Sequence, residues 1–203
     1  MRQTEERYIS LLTDFGFKRI FGTKLNKSLL ISFLNSLFAG EQVIRDVKYL
    51  NSEHVGDVLI NKSAIFDVCC VNEQGEMFVV EMQNAYLTYF KESSLYNASF
   101  PLCEKISDDV EWKFDYGYVV ALLNPIFRDA MANIIKETAS HNSKLMFKCV
   151  EISNIDKSVD ELHTDLDKWL YVIRNLSSLE YQPINLQNEV FNQLFEVSML
   201  PNL

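Results

Sequence analysis

The chain lacks the patterns that mark secreted, membrane-spanning and zinc-binding proteins. Its N-terminus, MRQTEERYISLL, is charged and has no apolar h-region, so we expect no secretory signal. No apolar run approaches the roughly 20 residues that span a bilayer. The four cysteines form no CxxC pair, and the three histidines lack metal-ligand spacing. These absences predict a cytoplasmic protein with reduced cysteines, no membrane partner, no zinc site and no small-molecule organic cofactor.

An excess of positive charge is also missing. Lysine and arginine total 19 against 28 aspartates and glutamates, which gives a net charge of −9. This balance counts against broad electrostatic adhesion to nucleic acid. It leaves room for a local basic groove, because several lysines lie before or near residues 64–84, whereas acids are concentrated between Asp156 and Glu196.

What the sequence does contain is enough apolar material for a sizeable core. Of the 203 residues, 48% are hydrophobic and 12% are aromatic, which excludes disorder on compositional grounds. We predict an α/β core over residues 1–155, with a mixed central sheet flanked by helices, and a helical C-terminal appendage over 156–203 packed on that core.

The predicted elements follow from periodicity and punctuation. Apolar residues at helical spacing, with caps such as Thr13 and stops such as Gly22, predict helices; their ranges are 13–22, 26–38, 87–106, 126–138, 160–176 and 186–200. Alternating or continuous apolar runs predict strands; their ranges are 43–50, 114–123 and 145–152, together with a hairpin over 64–84.

The hairpin sets the most informative register. A three-residue loop over 73–75, with Gly75 in the left-handed conformation, would set Asp67 opposite Glu81. Side chains directly opposite each other lie roughly 4.5–5.5 Å apart at Cβ, and strand alternation puts Gln83 on the same face as Glu81. A two-residue loop would instead set Asp67 opposite Met82 and separate the two acids by a face.

Two adjacent carboxylates in an apolar strand pair repel each other and lose hydration. A hard divalent cation, Mg²⁺ or Mn²⁺, would compensate, because all the ligands are oxygens. The alternative is that one carboxylate is solvated or paired with a lysine at the strand end. Asp14 has two interpretations as well: a first-turn acid that favours the helix dipole, or a third carboxylate near Asp67 and Glu81.

Six blocks of sequence, in order from Thr13 to Phe195, resemble the PD-(D/E)XK nuclease family transposases, also called the Rpn or recombination-promoting nuclease group. The blocks are TDFGFKRIFG, NKSLLISFLNSLF, KSAIFDV, G-E-x-F-x-V-E-M-Q, YFKESSLYNASFPL and ELHTDLDKWLYVIRNL. The resemblance implies a restriction-endonuclease-like fold and Mg²⁺-dependent cleavage of DNA phosphodiester bonds.

The resemblance also implies site residues. The catalytic aspartate of the family falls on Asp67, and its E-x-Q motif falls on Glu81 and Gln83, with glutamine in the place of the usual lysine of the superfamily. The acidic residue of its T-D-x-x-F-K block falls on Asp14. Lys62 matches a basic position just before the catalytic strand.

From these assignments we predict a site in which Asp67, Glu81 and the Met82 carbonyl bind one or two Mg²⁺ ions, with Mn²⁺ as the alternative ion. We predict that three lysines hold the DNA backbone and that one tyrosine supports the site; these are Lys18, Lys62, Lys91 and Tyr96. We also predict a homodimer.

The chain departs from its relatives where they carry an arginine and a second tyrosine. It has Ser93 and Asn97 at these two positions. These departures and the net acidity leave an alternative function open, in which the chain is a catalytically weak or inactive relative that binds DNA or a protein partner.

Overall fold

The structure, a computed structural model, describes residues 7–49, 67–83, 117–123, 145–152 and 156–200. The chain divides into two compact units. One combines Met1–Ile44 with Ile152–Leu203, and the other is the continuous stretch Arg45–Glu151. The helices predicted over 87–106 and 126–138 lie outside the described residues.

The first unit is helical in its described part. Its α-helices are α1 (Asp14–Phe21), α2 (Lys27–Leu37), α3 (Asp165–Asn175) and α4 (Glu189–Val197). Short 3-10 turns cover Lys24–Asn26, Val159–Glu161, Leu176–Ser178 and Ile184–Leu186. The predicted helices over 13–22 and 26–38 are therefore confirmed.

Helix α1 begins and ends where its sequence signals place it. The Thr13 hydroxyl accepts a hydrogen bond from the Gly16 N–H at 3.1 Å, and it donates one to the Ser10 carbonyl at 2.8 Å. The hydrogen bond from Gly16 satisfies one of the backbone N–H groups that have no partner within the first turn of a helix. At the other end the Gly22 N–H donates to the Lys18 carbonyl at 2.8 Å.

Aromatic side chains from both parts of the chain form one helical core. The fully buried Trp169 of α3 lies 5.6 Å from Phe21, 5.8 Å from Phe33 and 5.0 Å from Phe191 between ring centroids. Its indole N–H donates to the Ser32 hydroxyl at 3.2 Å. The C-terminal helices therefore share their core with α1 and α2. The boundary at residue 155 stays a prediction.

Extended segments that flank the helices also pair within this unit. Tyr8 forms an isolated antiparallel bridge with Met199, and the Ile9 N–H donates to the Ser198 carbonyl at 2.9 Å. The Tyr8 ring packs edge-on against Phe195, with 5.1 Å between centroids. These contacts fix the segment before α1 to the segment after α4.

The second unit contains a five-stranded mixed sheet in the order β1-β2-β3-β4-β5. The strands are β1 (Val47–Tyr49), β2 (Val68–Asn72), β3 (Met77–Gln83), β4 (Gly117–Leu123) and β5 (Leu145–Glu151). The pairs β1–β2 and β2–β3 are antiparallel, and β3–β4 and β4–β5 are parallel. The predicted α/β class with a mixed sheet is confirmed.

The middle of the sheet is apolar on both faces. Val79 and Val80 point to opposite faces of β3 and both have 0% exposure. Every residue of β4 is buried, and Tyr118 stacks on Phe78 with 5.0 Å between ring centroids. Continuous apolar runs of this kind are typical of strands covered on both faces.

Strand β1 is shorter than the sequence predicts, because side chains occupy the backbone groups before it. The Asn35 side chain accepts from the Ile44 N–H and donates to the Ile44 carbonyl, both at 2.7 Å. The N–H groups of Arg45 and Asp46 donate to the Glu73 carboxylate at 3.1 and 3.2 Å. The prediction of a strand from residue 43 is therefore wrong, and the strand begins at Val47.

The predicted start of α3 at residue 160 is also wrong. A capping box at Ser158 and Glu161 closes a separate 3-10 turn. A second capping box, between Thr164 and Asp167, then starts the α-helix. Helix α4 likewise begins later than predicted, at Glu189 instead of residue 186.

Candidate metal site on the β2–β3 hairpin

The turn of the hairpin has the geometry that a three-residue loop needs. Gly75 has φ +82°, a value that glycine adopts without steric cost. Its N–H donates to the Asn72 carbonyl at 3.1 Å, and the Asn72 N–H donates to the Glu76 carbonyl at 3.0 Å. The Asn72 side chain accepts from the N–H groups of Gln74 and Glu76 at 3.0 and 2.9 Å. The asparagine therefore fixes the turn from inside.

Glu73 holds this turn against the segment before β1. Desolvation raises the pKa of Glu73, but the hydrogen bonds from its own N–H and from those of Asp46 and Arg45 together outweigh it. The net pKa of the Glu73 carboxyl lies below its ordinary value. The side chain is therefore an anion at neutral pH, where it accepts these N–H groups.

The strand register agrees with the sequence. Val68 pairs with Val80, and Val71 pairs with Met77. Continuing this register by one residue places Asp67 opposite Glu81. The predicted register is confirmed, and the two-residue loop that would separate the acids by a face is excluded.

Asp67 reaches across to β3 through its side chain. It lies at a bend directly before β2 and is half-buried, and its Oδ2 accepts a hydrogen bond from the Met82 N–H at 2.7 Å. The N–H and C=O of one strand residue point to the same neighbouring strand. The Met82 carbonyl therefore points to the side of β3 on which the Asp67 carboxylate lies.

Glu81 is a charged residue in an apolar part of the sheet. Its exposure is 8%, its neighbours Val79 and Val80 have 0%, and Ala121, its partner on β4, has 1%. A carboxylate at such a position costs free energy unless it is paired, hydrogen-bonded or bound to a cation. Two carboxylates and a backbone carbonyl are oxygen donors of the type that Mg²⁺ and Mn²⁺ prefer. The donor set therefore fits a hard divalent cation.

Of the remaining predicted site residues, some lie in described elements and others lie outside the described residues. Gln83 is the last residue of β3, and its place on the face of Glu81 stays a prediction. Asp14 lies in the first turn of α1 and forms an ion pair with Lys18 at 2.8 Å. This position suits a helix-dipole role, and its role as a third acid stays a prediction. Lys62, Lys91 and Tyr96 lie outside the described residues.

Larger metal-ligand clusters do not occur in the part of the chain that the structure describes. No group of three or more histidine, cysteine, aspartate or glutamate side chains there is arranged to hold a metal ion. On the hairpin itself, a site would therefore rest on two acids and a carbonyl, as the sequence predicts.

One acid on the same face was missed by sequence reasoning. Gln83 pairs with Leu123, and Leu123 pairs with Glu151, so Glu151 shares the face of Glu81. Two strand spacings separate Glu151 from Gln83, which is about 10 Å. Among the described residues, Glu151 does not form a three-acid metal-ligand group with Asp67 and Glu81. No local signal could have found it, because parallel registers are set by contacts between distant segments.

Two of the described cysteines on this sheet, Cys70 and Cys149, have raised thiol pKa values. Burial raises the pKa of Cys149 to about 12. Burial, followed by the neighbouring Cys69, raises the pKa of Cys70. Both thiols are therefore protonated at neutral pH and do not act as nucleophiles. The prediction that cysteines act as small buried hydrophobes is confirmed for Cys69 and Cys70.

A mixed five-stranded sheet combined with helices is consistent with an α/β fold of the restriction-endonuclease type. The chain belongs to the PD-(D/E)XK nuclease family transposases, whose family model matches residues 11–201. No curated protein and no solved structure matches the chain. The family match confirms the resemblance carried by the six sequence blocks, and it makes DNA the substrate class of the family.

The described helices are shorter or more polar than a membrane-spanning helix. None of them is long and apolar enough to cross a bilayer.

Proposed function

We propose that the chain is a Mg²⁺-dependent DNA endonuclease of the Rpn type that hydrolyses phosphodiester bonds in the cytoplasm. The observation that carries the proposal is the position of Asp67. Its carboxylate accepts a hydrogen bond from the Met82 N–H at 2.7 Å. The strand register sets Asp67 opposite the buried Glu81. The register therefore supports a pair of acids on neighbouring strands, in a part of the sheet that is otherwise apolar.

Asp67, Glu81 and the Met82 carbonyl would hold Mg²⁺, or Mn²⁺ in its place. When bound, the ion would lower the pKa of a water molecule and neutralise the charge that develops on the scissile phosphate. The Met82 N–H donates to Oδ2 of Asp67 at 2.7 Å, and this hydrogen bond orients the carboxylate. The apolar residues around Glu81 limit access of bulk water to its carboxylate.

The other predicted residues would position the substrate. Gln83 can orient a water molecule or a phosphate oxygen, but it carries no charge and cannot replace the ammonium of a lysine. Weaker catalysis than in lysine-bearing nucleases therefore follows. Lys18, Lys62 and Lys91 would contact the DNA backbone. Tyr96 would support the site, and Asp14 would add a third acid.

A second candidate function is a binding module that keeps the fold without cleaving DNA. It is favoured by Ser93 and Asn97, which replace an arginine and a tyrosine of the relatives, and by the net charge of −9. The two functions differ in whether a divalent cation binds the hairpin and whether DNA is cut.

The first experiment measures nicking of supercoiled plasmid DNA in Mg²⁺ by the wild type, Asp67→Asn and Glu81→Gln. Both substitutions keep side-chain size and remove a negative ligand. We expect each to lower the rate at least about 100-fold, since several kcal/mol of metal-dependent stabilisation is lost. Asp160→Asn, at an exposed position in the helical unit, is the matched control and should cut like the wild type. Equal cutting by Asp67→Asn and the wild type would refute the proposed role of Asp67.

The second experiment separates the nuclease from the binding module. An ion that binds only the folded protein stabilises it by about 2.7 kcal/mol at 100 times its Kd. We expect millimolar Mg²⁺ or Mn²⁺ to raise the Tm of the wild type but not of Asp67→Asn. DNA binding by a wild type that shows neither a metal-dependent Tm shift nor nicking would favour the binding module.

A further inference from the structure

One face of α1 exposes a large apolar side chain that is not part of the helical core. Phe15 is 66% exposed, whereas Phe17 and Phe21 of the same helix have 0% exposure. Leu25, in the 3-10 turn that follows, is 91% exposed. Burial of apolar surface is favourable, so the exposed part of the Phe15 ring is available to a ligand.

Two exposed cations, Arg19 and Lys24, lie between Phe15 and Leu25 along the chain. Arg19 is exposed and lies four residues after Phe15, on the same face of the helix. The Asn26 side chain donates to the Arg19 carbonyl at 3.1 Å, which holds the exposed Lys24 and Leu25 beside the end of α1. We call Phe15, Arg19, Lys24 and Leu25 the α1 patch.

The charge of this segment is opposite to that of the chain. Residues 15–27 contain Lys18, Arg19, Lys24 and Lys27 and no acid, although the chain carries a net charge of −9. Lys18 is neutralised in part by Asp14 at 2.8 Å. The guanidinium of Arg19 can donate two parallel hydrogen bonds to one phosphate. The exposed cations Arg19 and Lys24 are complementary in charge to the phosphodiester backbone of DNA.

We propose that the α1 patch binds DNA at an unpaired base, with Phe15 stacked on the base and with Arg19 and Lys24 on the flanking phosphates. The inference rests on the proposed function, to which it adds a preference for unpaired or distorted DNA. A protruding ring gains little stacking free energy from an intact duplex, because the faces of paired bases are already stacked on their neighbours. The ring gains the full stacking free energy from an extruded or single-stranded base, because the face of that base is not covered by a neighbouring base.

The test measures binding of fluorescent single-stranded and duplex oligonucleotides by anisotropy, in EDTA so that no cleavage occurs. Stacking of one base contributes about 1–3 kcal/mol, which corresponds to about 5- to 150-fold in affinity. We expect Phe15→Ala to lose that factor on single-stranded DNA and much less on duplex, and Phe15→Trp to retain it. Tyr181→Ala removes a 72% exposed aromatic side chain from the same unit and should change neither affinity.

The salt dependence tests the cations separately. Arg19→Gln and Lys24→Gln should each reduce the slope of log Kobs against log salt by about 0.7 on single-stranded DNA. All these side chains are exposed, so the Tm should stay at the wild-type value and report intact folding.

The outcomes distinguish this inference from the proposed nuclease. If Phe15→Ala binds single-stranded DNA as the wild type does while the wild type nicks plasmid DNA, the inference is overturned and the nuclease stands. If the wild type neither binds nor cuts DNA, both are overturned. Binding of the wild type to vesicles of anionic phospholipid, without binding to either oligonucleotide, would assign the α1 patch to a membrane surface and overturn the DNA inference.

Discussion

Substituting Gly16 by alanine tests the packing at the start of α1, because two effects predict opposite signs. Alanine in a helix interior is about 1 kcal/mol more favourable than glycine, so propensity alone predicts a more stable protein. The structure predicts the reverse. A Cβ on Gly16 would lie 2.0 Å from the Ser10 carbonyl oxygen and 3.0 Å from the Thr13 hydroxyl.

The magnitude follows from the distance. Ordinary contact begins near 3.4 Å, so the Ser10 carbonyl and Gly16 would have to separate by about 1.4 Å. Both partners belong to the backbone, and Ser10 is held by the Thr13 hydroxyl at 2.8 Å. Overpacking costs about 1–3 kcal/mol, and a backbone clash lies at the upper end. After subtracting the propensity gain we expect Gly16→Ala to lose about 2 kcal/mol.

The assay is urea unfolding followed by far-UV circular dichroism and tryptophan fluorescence, together with a thermal scan. A loss of about 2 kcal/mol corresponds to a Tm lower by about 4–8 °C for a chain of this length. Gly40→Ala is the control for backbone strain alone, since Gly40 has φ +82° and no atom within 4 Å of an added Cβ. It should cost about 1 kcal/mol, and Gly40→Asn less. A Gly16→Ala variant as stable as the wild type, or more stable, would refute the close approach.

Two further predictions concern polar contacts of the helical unit. Asn35→Ala should cost about 2–4 kcal/mol in urea, because it removes both partners of the backbone of Ile44, which is 1% exposed; Asn185→Ala, at an exposed site, should cost well below half of that. The hydrogen bond from Lys157 holds the pKa of Asp167 down to about 2, so its contribution is present above the unfolded pKa near 4 and is lost as the pH falls towards 2. After allowance for solvent screening, Asp167→Asn should cost about 1 kcal/mol at pH 7 and little at pH 2.5; an equal cost at both values would contradict this account.

The sequence predicted the hairpin well because its determinants are local. Gly75 and Asn72 lie within four residues of each other and specify the loop length. The loop length then fixes the register, and the register places Asp67 opposite Glu81. Helix α1 is predictable for the same reason, since Thr13 and Gly22 are its own caps. The catalytic and metal-binding roles of these residues stay predictions.

What the sequence could not predict depends on partners far along the chain. Strand β1 begins later than predicted because the side chains of Asn35 and Glu73 accept hydrogen bonds from the backbone N–H groups of Ile44 and Arg45. These side chains lie 9 and 28 residues away from the groups they bind. Glu151 reaches the face of Glu81 only through two parallel registers. The start of α3 was missed for another reason: two capping boxes lie within ten residues, and the sequence does not say which of them begins the long helix.

The helical unit is interrupted by the whole of the sheet unit, Arg45–Glu151, and this has a consequence during synthesis. Translation delivers α1 and α2 long before α3, because the ribosome makes roughly 5–20 residues per second. Until Trp169 emerges, Phe21 and Phe33 lack the ring that packs on both of them. The nascent chain therefore exposes an aromatic surface that is prone to aggregation while the sheet is being synthesised. A premature stop codon shortly before Trp169 should yield aggregates that recruit chaperones.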